Sequence, residues 1–443
     1  MSTELGFSFW ISLLFIAIIM GALQGTCAYL ILAERKISAW AQDRLGPNRV
    51  GPWGLLQPIA DGIKFLLKED IIPSHVDKLF YMLGPSIAVS TALLAFAVVP
   101  FGPTTPPPVL VDYRVNPPQA AWPQTIEEKN DILEADRKHA EQTGDKTYKT
   151  KFDEYNDTIQ FVIAPHVSIG IVFNLAVGSL AVYGVLLGGW SSNNKYSMLG
   201  ALRSSAQLIS YEIPMGMSVL GVLLVSGSLN LETIIDYQVR HGWNVLFQPL
   251  AALLFITSIF AECNRLPFDL PEAEQELVGG YHTEYSAMKF ALYFLGEYTH
   301  MITTSFLVAV MFFGGWQLFP GVDMPGGVGG AILKLIVLAV KMVLFIIFFM
   351  LIRWTLPRFR FDQLMGLTWK VLLPLALLNV VWVIVVKQLH LSDWLLLPLS
   401  IATIFLVAGL ALYMPGQRPR APVRLAGHVS SGPPAVLHED QVV

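Results

Sequence analysis

Residues 330–352 read GAILKLIVLAVKMVLFIIFFMLI, from Gly330 to Ile352, broken only by Lys334 and Lys341. A helix that crosses a bilayer needs about 20 predominantly apolar residues, and this run has them. Eight further segments qualify or nearly so: 7–33, 79–101, 161–189, 204–227, 246–262, 285–314, 368–387 and 394–414. The composition agrees. Of 443 residues, 54% are hydrophobic and 14% charged, against about 25% charged in soluble domains, and the mean hydropathy is +0.54. A disordered chain, a nucleic-acid binder and an ordinary cytosolic enzyme are excluded. The expected fold is all-α, a polytopic transmembrane bundle of about nine spanning helices.

The first span has no basic n-region and no A-x-A site, and its apolar run is too long for a signal peptide. No transit peptide is expected before it. Lys and Arg sort the loops. The first, third, fifth and seventh hold 7, 2, 1 and 3, and the tail after Pro415 holds 3. The fourth, sixth and eighth are almost bare. This bias places the N-terminus outside and the odd loops and C-terminus in the cytoplasm. The long second loop has 7 basic but 11 acidic residues, and such loops translocate regardless of charge. Four regions follow: 1–101, two spans and their loop; 102–160, a Pro-rich and then charged insert; 161–414, seven spans; and 415–443, a Pro- and Gly-rich tail expected to be disordered. Within the insert, the Pro-rich opening suits extended polyproline structure, and a helix is expected about Ile126–His139.

Cys27 and Cys263 are the only cysteines and form no metal-type pair, so an iron–sulfur or zinc site within this chain is not expected. The nine His are scattered. Any redox centre is expected to belong to a partner.

In so apolar a chain, function concentrates where charge persists. Loop one opens Glu34-Arg35-Lys36, turns at Gly46-Pro47-Asn48-Arg49, and continues as an amphipathic helix over 54–68. Leu55, Leu56, Ile59, Ile63, Leu66 and Leu67 share one arc, opposite Gln57, Asp61, Lys64 and Lys68. An interfacial helix fits this pattern, and so does a plain membrane-surface helix with snorkelling lysines. Glu212 lies inside the fourth span, beside Pro214. An ionised carboxylate in lipid costs at least about 2.5 kcal/mol, so Glu212 is expected to face protein or water, or to pair with an Arg or Lys. The densest cluster runs from Glu262-Cys263-Asn264-Arg265 through Asp269, Glu272, Glu274 and Glu276 to Glu284. Helix-dipole complementarity accounts for Glu272 and Glu274, but not for six acids around one Arg. Crowded acids suit proton exchange. Glu297 and Lys289 extend this path. Lys341, in mid-span, needs a partner and reads equally as part of a proton route or as half of an ion pair.

Two stretches then resemble a known family. Gly54-Leu55-Leu56-Gln57-Pro58-Ile59-Ala60-Asp61-Gly62-Ile63-Lys64 and Pro267-Phe268-Asp269-Leu270-Pro271-Glu272-Ala273-Glu274-Gln275-Glu276-Leu277 resemble the two signatures of the quinone-binding membrane subunits of proton-pumping NADH:quinone oxidoreductase, respiratory complex I. Supporting stretches are Ala33-Glu34-Arg35-Lys36, Gly46-Pro47-Asn48-Arg49-Val50-Gly51, Ser210-Tyr211-Glu212 and Gly280-Tyr281-His282. The likeness covers about residues 5–100 and 160–390. It departs in three places: the insert is longer, Cys263 stands where the family often has Thr, and the ninth span and tail exceed the minimal eight-helix pattern.

The resemblance implies a subunit of an enzyme with no redox centre of its own, in the bacterial inner membrane. Glu34, Arg35, Arg44, Arg49, Gln57, Asp61 and Lys64 would line the quinone chamber and its lipid-side entrance. Glu212, Glu262, Asp269, Glu272, Glu274, Glu276 and Glu297 would form an acidic path coupling quinone reduction to proton translocation. It implies quinone (ubiquinone or menaquinone) as substrate, with FMN and iron–sulfur clusters in partner subunits. The implied partners are the peripheral-arm subunits at the quinone site (the N2-cluster subunit and the 49 kDa-type subunit), small membrane subunits and antiporter-like pumping subunits, besides the lipid bilayer. Two other readings stay open: the related membrane subunit of a membrane-bound hydrogenase, and a secondary transporter, although no internal repeat of the transporter kind is found.

Overall fold

A computed structural model describes residues 9–100, 110–112, 119–121, 131–135, 138, 163, 167, 169–269, 278–321 and 327–413. By contact the chain divides into two units, Met1–Ile401 and Ala402–Val443. The second contains the latter part of the final helix.

Among the described residues the architecture is all-helical apart from a small ribbon. In order come α1 (Phe9–Ala41), α2 (Gln57–Leu67), α3 (Lys78–Leu94), α4 (Gly170–Ser191), α5 (Lys195–Ser226), α6 (Leu231–His241), α7 (Pro249–Glu262), α8 (Ala287–Phe312), α9 (Gly327–Thr355), α10 (Phe361–Gln388) and α11 (Leu396–Tyr413). Nine of these, all but α2 and α6, stand where the sequence predicts spans. Among the described residues six helices are long and apolar enough to cross a membrane: most of α1 and α9, and α3, α4, α5 and α10. Pro249–Glu262 and Asp393–Gly409 are apolar but shorter. α8 has the length, and Lys289, Glu297 and His300 dilute its hydropathy.

Local chemistry sets the ends and joints. Asp77 caps α3 by accepting from Leu79 N at 3.1 Å, and Asn194 caps α5 by accepting from Tyr196 N at 3.0 Å, which satisfies free N–H groups of each first turn. Gly227 closes α5 with φ +70°, the left-handed conformation a helix C-terminus favours. Pro85 and Pro214 lie inside α3 and α5, where each removes a helical N–H. α3 and α4 cross at glycines. A Cβ added to Gly84 would stand 3.0 Å from Gly188 Cα and 3.1 Å from the Gly184 carbonyl, so the backbones approach as small residues permit in membranes.

Two expectations are modified, and a third is met as far as the described residues reach. Within the Pro-rich opening of the insert, Leu110–Asp112 and Gln119–Ala121 pair as antiparallel strands β1 and β2, in the register Leu110↔Ala121. Residues 131–135 and 138 are helical, inside the predicted Ile126–His139; the rest of that helix, like the tail after 413, lies outside the described residues. The fifth span is broken: a single turn Asn244–Phe247 precedes α7. The sequence pattern does not anticipate α6. Asn230 caps it through Glu232 N at 2.8 Å, and Leu231, Ile234, Ile235 and Gln238 form its buried face.

Candidate functional site

Two cavities gather the polar residues. The larger, about 900 Å³, lies between the end of α1, the turn after it, α2, the start of α8 and the end of α9. α1 continues through Glu34 and Arg35, and successive helical residues point about 100° apart, so the two reach different partners. Glu34 is buried. Tyr298 Oη donates to it at 2.6 Å, Arg265 Nη1 at 3.3 and 3.4 Å, and Arg353 forms an ion pair with it. The Arg265 guanidinium lies over the Tyr298 ring, 4.3 Å from its centre. Arg35 turns instead to Asp61 of α2, at 2.7 Å.

Asp61 also accepts from Lys64 and Gln57, each at 3.2 Å. Burial pushes its carboxyl up, but Arg35, Lys64 and Gln57 together outweigh that and hold it below the ordinary carboxylate value. This fixes the polar edge of α2 against α1. The opposite arc is bare: Leu55, Leu56, Ile59, Ile63, Leu66 and Leu67 are all exposed, Leu67 to 81%. Phe65, Phe290, Phe294, Leu292 and Leu295 give the cavity an apolar wall facing its charges. His282 packs edge-on against Phe290 at 5.2 Å, and burial pushes its imidazole down to about 4.

Of the seven predicted chamber residues, Glu34, Arg35, Arg44 and Asp61 line this cavity. Gln57 and Lys64 act one step back, through Asp61. Arg49 does not line it; the residue lies on the exposed turn. That turn is built on glycine. A Cβ at Gly54 (φ +79°) would collide with the Pro47 carbonyl at 2.1 Å.

The smaller cavity, about 50 Å³, is lined by Glu212 of α5, Glu262 of α7 and Glu297 of α8. Three carboxyls from three helices thus share one small cavity, and charging one alters the field at the others. The Ser179 hydroxyl donates to Glu212, and Tyr281 Oη donates to Glu297 at 3.0 Å. Glu212 therefore has a hydroxyl partner, where pairing with an Arg or Lys is the alternative that its sequence position allows. Cys263 and His300 also line it, and Cys263 Sγ lies 3.3 Å from Thr304 Oγ1.

Both cavities draw on the same two segments. Asn264 and Glu297 face the small one, while their sequence neighbours Arg265 and Tyr298 hold Glu34 at the large one. Asp269 is not in the small cavity; its carbonyl accepts from Arg358. Gln207 holds this loop by donating to the Ala261 and Phe268 carbonyls, each at 2.8 Å. Glu272, Glu274 and Glu276 lie outside the described residues.

Two lysines part from the expected path. Lys289 binds Asp70 at 2.5 Å and ties loop one to α8. Lys341 meets backbone: it donates to the carbonyls of Phe313, Gly315 and Gln317 at 2.6, 3.0 and 2.5 Å, with the Trp243 ring 5.0 Å away. Sequence reasoning misses Tyr298, Arg353, Ser179, Tyr281 and His300. Tyr298 is the most legible of them, as the immediate neighbour of Glu297.

Comparison with known proteins bears on this geometry. The family model for NADH dehydrogenase matches residues 13–120 and 152–384, skipping most of the charged stretch of the insert and stopping before α11. An H-type NADH-quinone oxidoreductase subunit of Cytophaga hutchinsonii is 43% identical over 355 residues, 80% of this chain and 90% of that protein. The H-type NADH-quinone oxidoreductase subunit of Leptospira biflexa is 44% identical over 374 residues, 83% of this chain and 92% of its own length. NADH-quinone oxidoreductase subunit 8 of Rhodothermus marinus is 42% identical, covering 84% of this chain and 96% of that protein.

Proposed function

This chain belongs to the family of H-type NADH-quinone oxidoreductase subunits, multi-pass membrane components of an enzyme complex, and from that membership we propose that it forms much of the quinone chamber and the start of the proton path. The observation that carries the proposal is the junction at Glu34, where Arg265 and Tyr298 tie the large cavity to the segments lining the small one. The large cavity, with an apolar wall and a few convergent charges, suits a flat ring on an isoprenoid tail. Its flank, α2, offers the apolar arc that a lipid-side entrance needs.

In this reading electrons come from an iron–sulfur cluster in a partner subunit, and ubiquinone or menaquinone is reduced to quinol. The two electrons make the quinone oxygens basic, so protons follow them. The change in charge at the large cavity is felt by Glu34, paired with Arg265 and Arg353, and through Arg265 by Glu297 and its neighbours Glu262 and Glu212. Rearrangement of protons among these three passes an electrostatic signal towards antiporter-like partners, with Asp269, Glu272, Glu274 and Glu276 continuing the acidic path. The protein would sit in the bacterial inner membrane, N-terminus outside, with its basic loops against the peripheral arm.

Glu212→Gln tests the proposal. The intact complex should assemble and lose most of its quinone reductase activity and proton pumping. Full coupled activity in membranes carrying that variant would overturn the role given to Glu212.

A further inference from the structure

Four buried tyrosines form a continuous series apart from the acids. Tyr81 stacks on Tyr285 with ring centroids 4.2 Å apart, Tyr285 meets Tyr293 edge-on at 5.0 Å, and Tyr293 meets Tyr281 edge-on at 5.1 Å. The hydroxyls of Tyr285 and Tyr293 converge over Gly188, where an added Cβ would stand 3.2 and 2.0 Å from them. The Ser191, Ser192 and Tyr285 hydroxyls all reach the Gly188 carbonyl, at 3.1, 2.7 and 3.4 Å. Ser192 is buried, and its neighbour Asn193 is exposed and donates to the His75 carbonyl. At the other end Tyr293 and Tyr281 both line the acidic cavity, where Tyr281 reaches Glu297. That cavity measures about 50 Å³. A water needs roughly 10–15 Å³ of such space and two or more polar partners, so water can bridge Tyr293 to Glu297.

We propose that these hydroxyls form a second proton route into the acidic cavity, running from Ser191 and Ser192 through Tyr285 and Tyr293 to Glu297 and bypassing the large cavity. The route rests on the reading of the three glutamates as proton carriers. At each step an oxygen accepts a proton on one side and releases its own on the other. One proton reaches Glu297 and no hydroxyl is left charged. The resting Tyr285 hydroxyl donates to the Tyr81 carbonyl at 3.0 Å, an acceptor left free because Pro85 brings no N–H to it. The Tyr293 hydroxyl rests likewise on the Gly184 carbonyl at 3.2 Å, and rotation about the two C–O bonds turns these hydrogens towards Tyr293 and the acidic cavity.

The test uses the intact complex in sealed vesicles. Tyr285→Phe and Tyr293→Phe keep their rings and lose the relaying oxygens. Tyr81→Phe is the matched control, since its hydroxyl donates away from the route, to the Glu284 carbonyl at 2.7 Å. Both route variants should lower pumping-coupled turnover by about tenfold or more, with the KM for quinone unchanged and the solvent deuterium isotope effect raised. Tyr81→Phe should keep wild-type values. Wild-type turnover and isotope effect in both route variants would overturn the route, as would equal losses in all three with an unaltered isotope effect. If the phenylalanine variants fail to assemble, the paired Ser191→Ala and Ser192→Ala change decides: a raised isotope effect supports the route, and a wild-type one overturns it. A silent Tyr293→Phe beside an inactive Glu212→Gln removes only this route, whereas an active Glu212→Gln removes the reading beneath it.

Discussion

Glu34 carries the heaviest burden of any single side chain. Among the described residues it is the one carboxylate bonded to Arg265, Arg353 and Tyr298 together. Breaking a buried ion pair by removing one partner costs about 3–5 kcal/mol, because the remaining charge stays buried. Glu34→Gln should therefore lower the temperature at which the complex loses quinone reductase activity. Arg35→Gln, whose pair with Asp61 is half exposed, should shift it far less. Acid acts at two places. The His282 imidazole is held at about 4 against an ordinary 6.5, so the folded state favours its neutral form. That preference stabilises fully above pH 6.5 and is lost as pH falls towards 4. Thermal inactivation followed from neutral pH down to that range should show a decline that His282→Phe flattens. Asp61 lies below its ordinary 3.8, so its hold on α2 weakens only in stronger acid.

Helix ends and crossings explain why these residues are held. α8 stops at Phe312, and the carbonyls around its end are claimed from elsewhere: Gln238 donates to Val310 O at 2.7 Å, Asn244 to Met311 O at 2.8 Å, and Lys341 to three more. Unpaired backbone groups in an apolar interior are costly, which is why a lysine can sit in mid-span on backbone partners. Lys341→Met should remove the lysine donor from these carbonyls and lower the yield of assembled complex, an orphaned buried group costing about 1–3 kcal/mol. The α3–α4 crossing makes a sharper contrast. Gly188→Ala would put a methyl 2.0 Å from Tyr293 Oη, and overpacking of this kind costs about 1–3 kcal/mol. Gly216→Ala on α5 meets nothing within 4 Å, and there the higher helix propensity of alanine adds about 1 kcal/mol. Assembly assays should separate the two in that order.

In the assembled bundle, α2 lies with its charges turned to α1 and its apolar arc uncovered by the other described parts of the chain. A lipid-facing entrance predicts that a nitroxide-labelled lipid quenches a fluorophore at Leu67. Ile63→Lys should raise the KM for quinone more than it lowers kcat. A fluorophore shielded from lipid would instead mean that a partner subunit covers the arc.

Much of this is legible in the sequence, because it depends on neighbours along the chain. Apolar length marks the nine spans, the period of Leu55 to Leu67 marks an amphipathic α2, and the cost of charge in lipid singles out Glu212, Glu297 and Lys341 before any contact is known. α6 escapes only because its cap and apolar spacing are short. What meets what is not legible. Glu34 and Arg265 are 231 residues apart, and their meeting depends on how α1, α7 and α8 are rotated and crossed. Glu212, Glu262 and Glu297 share a cavity, while Asp269, in the same acidic run, stands outside it. Lys341 can be seen to need a partner, but not that the partner is backbone. Periodicity and solvation are properties of a segment and survive in the sequence. The convergence of side chains from separate helices is decided by packing, and only the tertiary structure contains it.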